Sequence, residues 1–487
     1  MNTLYYGDNL DILQRYIGDK SIDLVYLDPP FKSNQDYNVL FREQDGSRAA
    51  SQILAFEDTW EWNTASSAAY QQVVEAGGPV SNAMQSFFTL LGGNDMLAYL
   101  SMMAPRLIEL RRVLAPEGSI YLHCDPTASH YLKLLMDSIF GGENFVNEII
   151  WHYRKWPSGK YTFQRNHDII LFYSRTQTRD RTFNQLFMER APSTLKRFGT
   201  AKIISGHDDE GNRVPSEMAD EESEGVRQDD VWNIGRVPPI KQLFPTEKPA
   251  ALLDRIIEAS SNEGDVILDP FCGCGTAIES AAKLGREWIG IDITHLAITL
   301  IKHRLHTAFS GTAEYEVVGE PVSLPDARAL ALENRYQFQY WALGQVGARP
   351  TDPKKGADQG IDGRLKFHDD KPGVTKQIII SVKSGAIPAN HIRELRGVVQ
   401  REDAAIGLLI TLNKPTKPMR REAATAGFYI SPFGNTKHPR IQILTIEELL
   451  DGKKIDSPRT DANVTFKKAT RVRPRPPKPG ELPFDDE

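Results

Sequence analysis

A strand-like run that ends in a glycine-rich turn constrains the fold of this chain most strongly. The run Asp265–Leu268 predicts a buried strand, Asp269 follows it, Gly273 and Gly275 form the turn, and a helical pattern begins at Thr276. Glycines in such a turn let the backbone bend sharply and approach a ligand closely. The segment is therefore typical of an α/β protein that binds a ligand at the carboxyl edge of its sheet.

The next predicted strand ends in Asp292 and adds an acid to the same edge. A carboxylate at that distance can accept hydrogen bonds from ribose hydroxyls. The turn lacks the dinucleotide spacing G-x-G-x-x-G, and Asp269 is placed to hold an ammonium group. S-adenosylmethionine has an amino group, a sulfonium and a ribose but no phosphate, so it fits this pattern. The alternative is a glycine-rich turn with a purely structural role in an α/β sheet.

A second acid-bearing turn follows the predicted strand Ile22–Leu27 and consists of Asp28, Pro29, Pro30 and Phe31. An exocyclic amine of a nucleobase is a poor nucleophile because its lone pair is delocalised into the ring. If Asp28 and the Pro29 carbonyl each accept one N–H hydrogen bond, the nitrogen can pyramidalise and attack a methyl donor. Phe31 could stack on a base turned out of the duplex. The alternative is an ordinary strand-ending turn, which Asp-Pro commonly opens.

Together these two motifs resemble those of the amino-directed DNA methyltransferases, which methylate adenine N6 or cytosine N4. The catalytic element precedes the cofactor element, a circularly permuted order that resembles the beta group. Three further segments match this family, namely Tyr6–Asn9, Gly118–Asp125 and Thr246–Pro249. The resemblance covers residues 1 to about 305 and implies an α/β, Rossmann-like sheet that uses S-adenosylmethionine.

The resemblance also implies which residues form the site. Asp28, Pro29, Pro30 and Phe31 would bind the target amine, and no metal would be needed. The residues that would bind S-adenosylmethionine are Asp8 near the adenine, Lys248 near the methionine end, and Asp269, Phe271, Gly273, Gly275, Thr276 and Asp292. In this family an Asp at the first position of the catalytic motif goes with adenine, so Asp28 favours adenine N6 and leaves cytosine N4 as the alternative.

The C-terminal part carries a second resemblance, to the PD-(D/E)XK nuclease fold and in particular to Mrr-type restriction domains. It rests on Asp362 in the segment Gly356–Gly363 and on Lys383 in the segment Gln377–Ser384. Asp362 and Lys383 would form the nuclease site, with Mg²⁺ at Asp362 if the nuclease is active.

One position departs from the nuclease pattern, because Ser381 stands where an acid or Gln is expected. A metal ligand is therefore missing, and Asp358 and Glu394 are the candidates to replace it. Two alternatives stay open: a nuclease-like fold kept for DNA contact or assembly, and a combined restriction–modification protein with an active nuclease.

The predicted organisation has five parts. Residues 1–146 form the catalytic half of the methyltransferase core, 147–242 an irregular target recognition region, and 243–312 the cofactor-binding half. Residues 313–455 form the nuclease-like α/β domain, and 456–487 form a Pro-rich basic tail that we expect to be disordered.

The composition excludes several other classes of protein. No run of about 18 apolar residues predicts a membrane span, and Met1–Asp8 lacks the basic and apolar regions of a secretion signal. The 3 cysteines, Cys124, Cys272 and Cys274, cannot all pair within one chain. A disulfide framework is therefore not expected, and a reducing cytoplasm fits. A cytosine-C5 enzyme would need a nucleophilic cysteine in a different motif.

Contact with double-stranded DNA is expected to come from local basic patches, because the net charge of the chain is -6. One such stretch mixes cations with aromatic rings, and its members are Arg154, Lys155, Trp156, Lys160, Tyr161 and Arg165. Besides DNA, the expected partners are a second copy of the chain and separate restriction or defence components. Two rival functions remain: a restriction enzyme whose methylase half supplies DNA recognition, and a binding module with both sites inactive.

Overall fold

The computed structural model describes residues 1–30, 62–155, 161–177, 181–204, 212, 217–238, 242, 247–351, 360–369, 375–385, 388–432 and 435–458. Six residues named above lie outside these ranges, namely Phe31, Trp156, Lys160, Thr246, Gly356 and Asp358. The predicted tail lies outside them from residue 459 onward. None of the described helices combines the length and apolar composition needed to cross a bilayer.

The described strands occur throughout the chain. They are β1 (Thr3–Tyr6), β2 (Ile22–Leu27), β3 (Leu114–Cys124), β4 (Phe145–His152), β5 (His167–Ser174), β6 (Phe187–Met188), β7 (Ala201–Ile204), β8 (Glu217–Glu222), β9 (Val226–Arg227), β10 (Val231–Asn233), β11 (Val266–Asp269), β12 (Glu287–Asp292), β13 (Glu316–Val318), β14 (Arg349–Pro350), β15 (Gly363–His368), β16 (Thr375–Lys383), β17 (Ile406–Thr411), β18 (Phe428–Ile430), β19 (Lys437–Pro439) and β20 (Ile441–Thr445).

The described helices connect these strands. They are α1 (Asn9–Tyr16), α2 (Thr64–Glu75), α3 (Gly78–Leu91), α4 (Asp95–Val113), α5 (Ser129–Phe140), α6 (Pro192–Phe198), α7 (Ala250–Ser260), α8 (Thr276–Lys283), α9 (His295–Ala308), α10 (Leu324–Glu333), α11 (Arg335–Gln345), α12 (Asn390–Arg401), α13 (Lys417–Ala424) and α14 (Ile446–Leu450).

The N-terminal two-thirds of the chain is built on one large mixed sheet. Its described strands lie in the order β10-β4-β5-β3-β2-β11-β12-β1-β13. Neighbours pair in parallel except at β5, which runs antiparallel to both β3 and β4. The strand order changes direction between β2 and β11, and in open α/β sheets ligands bind at such a switch point. The order and direction of these strands agree with the α/β, Rossmann-like sheet that the resemblance implies.

The sequence of β2 shows how the sheet is covered on both faces. Its side chains alternate, so that Val25 and Leu27 belong to one buried cluster and Leu24 and Tyr26 to the other. Such alternation follows from the two-residue period of a strand. Apolar residues of α4 and α5 complete the first cluster, and those of α7, α8 and α9 complete the second. Both faces of the central strands are therefore buried.

Two parts of the sheet differ from the sequence prediction. The segment Asn147–Gln242, predicted to be irregular, contributes β5, β10 and most of β4 to the large sheet. The prediction failed because this segment is rich in charged and aromatic residues, although the strands themselves are largely apolar. In addition, Pro116–Gly118 has a sequence typical of a turn but lies within a strand, because β3 begins at Leu114 directly after α4. These residues coincide with an irregularity in the pairing of β3 with β2.

The C-terminal part has its own smaller sheet, with the strand order β14-β15-β16-β17-β20. Strands β15 and β16 form an antiparallel pair, and β16, β17 and β20 are parallel. Buried side chains of α11 and α14 cover one face, and those of α12 and α13 cover the other. The smaller sheet confirms the predicted second α/β unit, while β13 extends the large sheet beyond the expected boundary at residue 312.

Candidate active site

The two acid-bearing turns lie side by side although about 240 residues separate them in the chain. Strands β2 and β11 are adjacent and parallel, with Leu24 opposite Ile267 and Val25 opposite Leu268. Asp28 therefore follows one strand at the edge where Asp269 ends the other. The side chains are close enough for the negative charge of Asp28 to contribute to the raised pKa of Asp269.

The two carboxylate oxygens of Asp28 have different environments. Oδ2 forms an ion pair with Nζ of Lys248, which lies between β10 and α7. Oδ1 is buried and has no hydrogen-bond partner among the described residues. A buried acceptor without a donor costs about 1–3 kcal/mol. The free oxygen is therefore a binding position that a donor from another molecule could fill.

The residues after Asp28 are only partly described. Pro29 is buried and Pro30 is partly buried, so the backbone leaving β2 is fixed by packing as well as by the proline rings. Phe31, predicted to stack on the target base, lies outside the described residues. Its predicted role stays a prediction.

The glycine-rich turn adopts a backbone that favours glycine at two positions. Gly273 has a φ of 48° and Gly275 has a φ of 78°. A Cβ at position 275 would lie 2.7 Å from Cγ1 of Ile301 on α9. The N–H of Gly275 donates to the carbonyl of Cys272 at 2.7 Å, which closes the turn just before α8 begins at Thr276. Two glycines are thus needed for the conformation, and one is also needed for packing.

Asp292 is tied to both the turn and the start of α9. Its Oδ2 accepts a hydrogen bond from the backbone N–H of Gly273 at 2.9 Å. Its Oδ1 accepts from the N–H and Oγ1 of Thr294 at 2.9 and 2.8 Å. Burial raises the pKa of Asp292 to about 6, although these hydrogen bonds act in the opposite direction. The carboxylate is thereby held at the carboxyl end of β12, beside the turn.

Asp269 and Phe271 lie between these groups. Asp269 is buried, and its Oδ1 accepts from the N–H of Phe271 at 3.1 Å. Burial raises the pKa of Asp269 well above that of an ordinary carboxyl group, and the nearby charges of Asp28 and Asp292 raise it further. A cation bound beside Asp269 would stabilise its ionised form. The carboxyl groups of Asp28 and Asp292 are thus close enough to Asp269 to act on its charge, and such a group of acids fits a cationic ligand.

Asp8 has a structural role that its motif did not predict. It caps the N-terminus of α1 through the N–H groups of Leu10 and Asp11, and its Oδ2 pairs with Arg106 at 2.8 Å. Its neighbour Asn9 donates to the carbonyl of Pro270 at 2.8 Å. This contact ties the first helix to the glycine-rich turn. The predicted proximity of Asp8 to the adenine stays a prediction, as does that of Lys248 to the methionine end.

A buried histidine near Asp28 was not predicted as a site residue. His123 lies at the end of β3, and its Nδ1 is 4.0 Å from Oδ1 of Asp28. The hydroxyl of Tyr26 lies 3.0 Å from the same nitrogen, and Asp168 Oδ2 lies 3.4 Å from Nε2. One sequence signal was available, because His123 stands within the matched segment Gly118–Asp125 at a strand's carboxyl end.

The cysteines do not offer a nucleophile. Cys124, Cys272 and Cys274 are all buried and unpaired. Burial raises the pKa of each thiol, so the reactive thiolate is disfavoured. Cys272 instead packs in the core between the turn and α8.

The candidate nuclease residues meet in the smaller sheet. Asp362 is buried, and its Oδ2 accepts from Ser381 Oγ at 3.0 Å and from the N–H of Val382 at 2.6 Å. Nζ of Lys383 lies 3.5 Å from the same oxygen. Glu394, a candidate replacement ligand, pairs instead with His391 on the exposed side of α12. Among the described residues no group of three or more His, Cys, Asp or Glu side chains could hold a metal ion.

Comparison with known proteins agrees with the two-part architecture. A family model described as DNA methylase (N6_N4_Mtase) matches residues 22–303. A second model, described as NACHT-associated inactive Restriction Endonuclease 1, matches residues 335–451.

Two curated relatives are type II methyltransferases. M.HpaI of Haemophilus parainfluenzae is 31% identical over 296 residues, which cover 60% of this chain and 71% of that protein. M.EcaI of Enterobacter cloacae is 25% identical over 372 residues, which cover 64% and 71%.

Two solved structures resemble the chain with low TM-scores. The DNA modification methylase TTHA0409 of Thermus thermophilus, complexed with S-adenosyl-L-methionine, has a TM-score of 0.36 and 16% identity, covering 66% of this chain and 100% of that one. The cytosine-N4-specific PvuII DNA methyltransferase has a TM-score of 0.36 and 14% identity, covering 62% and 85%.

Proposed function

The chain belongs to the DNA methylase family whose model spans residues 22–303, and we propose that it transfers a methyl group from S-adenosylmethionine to adenine N6 in duplex DNA. One observation carries the proposal. Asp28 presents a buried carboxylate oxygen without a described partner, beside the glycine-rich turn on the neighbouring strand. A hydrogen-bond acceptor for an amine thus lies next to the glycine-rich turn, whose acids suit a cationic ligand.

Asp28 would act on the target amine by accepting one of its N–H bonds at Oδ1. The ion pair with Lys248 at Oδ2 fixes the orientation of the side chain. With the Pro29 carbonyl as a second acceptor, the amine nitrogen would pyramidalise and recover its lone pair. Since both acceptors are preorganised, little reorganisation accompanies the reaction. The proton released from the nitrogen would pass to Asp28 or to water.

S-adenosylmethionine would be held by the turn and the acids around it. Asp292 would bind the ribose hydroxyls, and Asp269 would face the amino group. Gly273 leaves the backbone of the turn open to a ligand, because it has no side chain and a Cβ there would meet nothing closer than the Phe271 carbonyl oxygen at 3.9 Å. When bound, the cofactor supplies an activated methyl group on a sulfonium, so neither a metal nor a covalent enzyme intermediate is needed.

DNA would approach along the loop between β4 and β5. Because β5 is antiparallel to both neighbours, β4 runs parallel to β3, and this loop leaves the sheet at the edge that carries Asp28. Arg154 and Arg165 are exposed in it. Tyr161 and Phe163 are 96% and 99% exposed. Cations suit the phosphate backbone, and exposed rings suit stacking on bases. The DNA contact of segment 147–242 is therefore assigned to this loop.

The choice of adenine over cytosine rests on Asp28 alone. In the family that the motifs resemble, an Asp at this position goes with adenine N6. The acceptor chemistry would serve cytosine N4 equally well, because both targets are exocyclic amines conjugated to a ring. Cytosine N4 therefore remains the alternative substrate.

We further propose that the nuclease-like domain does not cleave DNA. The observation behind this is the saturation of Asp362 by Ser381, the N–H of Val382 and Lys383. A carboxylate so occupied, with a serine where a second acid is expected, holds Mg²⁺ poorly. The resemblance of this region to an inactive restriction endonuclease supports the same reading.

Methyl transfer in vitro tests the proposed function. The purified chain is incubated with S-adenosylmethionine labelled in its methyl group and with unmethylated bacterial DNA, and the digested nucleosides are analysed by mass spectrometry. We expect labelled N6-methyladenine. Labelled N4-methylcytosine would support the alternative substrate, and unlabelled DNA would overturn methyl transfer as the function.

A further inference from the structure

A buried hydrogen-bonded chain crosses four neighbouring strands beneath Asp28. It joins Tyr26 on β2, His123 on β3, Asp168 on β5 and Tyr153 after β4. His123 and Tyr26 are buried, and the ring of Trp151 lies edge-on to the imidazole at 5.5 Å. Buried polar networks cost free energy unless they are satisfied, so one placed next to a candidate catalytic acid invites a functional explanation.

The partners of His123 define which of its nitrogens carries the proton. The carboxylate of Asp168 accepts a hydrogen bond from the hydroxyl of Tyr153 at Oδ1, and its Oδ2 contacts Nε2 of His123 at 3.4 Å. An ionised carboxylate can only accept hydrogen bonds, so Nε2 of His123 must carry a hydrogen to contact it. In the neutral imidazole, Nδ1 then has a lone pair, which accepts from the Tyr26 hydroxyl at 3.0 Å.

We propose that His123 is a positioning residue for methyl transfer, which keeps Oδ1 of Asp28 available to the target amine by directing its own N–H toward Asp168. This inference rests on the proposed function. In the stated tautomer Nδ1 presents no N–H to Asp28, although only 4.0 Å separates the two atoms. Asp168 fixes the tautomer, and Tyr26 occupies the remaining lone pair.

The opposite tautomer would obstruct the site. With its hydrogen on Nδ1, the imidazole would present an N–H to the unpartnered oxygen of Asp28 and compete with the target amine for it. Among the described residues, the titratable and charged groups near His123 are Tyr26, Asp28 and Asp168, with Tyr153 bonded to Asp168. A substitution that reverses the hydrogen bond between Nε2 and Asp168 should therefore lower the rate of methyl transfer.

Two cationic side chains pack on Tyr153, the last member of this hydrogen-bonded network. The hydroxyl of Tyr153 donates to Oδ1 of Asp168 at 2.9 Å. The side chains of Lys155 and Arg236 lie over the Tyr153 ring at 4.9 and 5.4 Å. Tyr153 thus fixes Asp168 from the side opposite His123, which leaves Oδ2 directed at the imidazole.

The kcat of two His123 variants tests this role. His123→Gln and His123→Leu are compared with wild type at about pH 8 with saturating S-adenosylmethionine and DNA. The glutamine side chain can donate a hydrogen bond to Asp168, whereas leucine cannot. We expect kcat to fall less in His123→Gln than in His123→Leu, while the KM for S-adenosylmethionine changes little in both. The matched control is Tyr173→Phe, which removes a tyrosine hydroxyl that donates to Asp137 and should keep the wild-type kcat.

A third variant reports on the tautomer and covers the case in which His123→Gln fails to fold. Asp168→Asn can donate to Nε2, which would place the imidazole proton on Nδ1, facing Asp28. We expect kcat near pH 8 to fall about 10- to 100-fold while the KM for S-adenosylmethionine changes little.

The outcomes separate this inference from the proposed function. With an active wild type, a His123→Gln variant no more active than His123→Leu, or an Asp168→Asn variant with wild-type kcat, would overturn the role of His123 alone. A wild type that transfers no methyl group at any pH would instead overturn the proposed function.

Discussion

At the scale of single residues, the acids of the site differ in what holds them. Asp28 shares one oxygen with Lys248 and leaves the other without a described partner. Both oxygens of Asp292 accept hydrogen bonds, one from the N–H of Gly273 and the other from the N–H and the hydroxyl of Thr294. This contrast matches the assigned roles, because an acceptor for a transient substrate must stay open, whereas a group that shapes the cofactor pocket can be fixed.

Cofactor binding is predicted to weaken at acid pH through Asp292. Its pKa is raised to about 6, so the carboxylate accepts a proton as the pH falls through that value. A neutral carboxyl is a weaker acceptor for ribose hydroxyls. The dissociation constant of S-adenosylmethionine, measured by calorimetry, should therefore rise from about pH 7.5 to pH 5.

The variant Asp292→Ala provides the comparison for this measurement. It should bind S-adenosylmethionine weakly at every pH and lose the wild-type dependence near pH 6. An unchanged affinity in the variant would remove Asp292 from the cofactor site.

Some contacts between these residues could be predicted from the sequence, and others could not. Asp28 and Asp269 could be paired from their motifs, because each follows a strand at a ligand-binding edge. The contact between Lys248 and Asp28 could not be read, since it depends on where the segment before α7 returns to the sheet. His123 was likewise missed, because a histidine inside an apolar strand reads as core until its neighbours on β2 and β5 are known.

At the scale of elements, the glycine-rich turn makes two separate demands on its glycines. Gly273 and Gly275 both have positive φ, but only Gly275 packs against α9. A Cβ at 273 meets nothing closer than the carbonyl oxygen of Phe271 at 3.9 Å. The two positions therefore separate backbone strain from steric conflict.

We predict that Gly275→Ala lowers the melting temperature more than Gly273→Ala. Both variants bear the strain of a positive φ, of order 1 kcal/mol, but only the first adds a Cβ 2.7 Å from Ile301. Calorimetric unfolding measures both, and cofactor affinity should follow the same order. Equal melting temperatures would mean that α9 moves away without cost.

The loop between β4 and β5 gives a prediction about DNA. Phe163→Ala should weaken DNA binding and raise the KM for DNA, because it removes an exposed ring worth about 1–3 kcal/mol on stacking. The affinity for S-adenosylmethionine should not change. Phe428→Ala is the matched control, since Phe428 is 61% exposed in the C-terminal part. Equal effects of both variants on DNA binding would contradict the assignment of this loop.

Elements differed in how well the sequence predicted them. The strand Ile22–Leu27 was predicted with its observed ends, because an apolar run stops at two prolines. Strands β4 and β5 were missed, since charged and aromatic residues around them hid the apolar core of each strand. Their antiparallel pairing is a long-range feature that local patterning does not encode.

At the scale of the whole molecule, helix α9 connects the two sheets. Its buried Arg304 forms ion pairs with Glu247, next to Lys248, and with Glu279 on α8. Its first residue, His295, donates its backbone N–H to Gln337 on α11 at 3.0 Å. The same helix therefore supports the methyltransferase site and contacts the C-terminal part, which offers a structural reason for the second domain.

The C-terminal part is predicted to contribute structure rather than cleavage. Lys383→Ala should leave kcat for methyl transfer within about twofold of wild type, because Lys383 contacts Asp362 and not the large sheet. Unmethylated DNA incubated with wild type and Mg²⁺ should stay intact on a gel. Cleaved DNA, with Lys383→Ala abolishing the cleavage, would instead establish an active nuclease.

The most direct test of the account concerns Asp28, to which we assign the acceptance of a hydrogen bond from the target amine. Genomic DNA from cells that express wild type or Asp28→Ala is sequenced with modified-base detection, and cofactor binding by both purified proteins is measured. We predict N6-methyladenine at one recurring sequence with wild type, and none with a variant that still binds S-adenosylmethionine. Methylation by Asp28→Ala at the wild-type level, or equal loss of methylation and cofactor binding, would contradict the account.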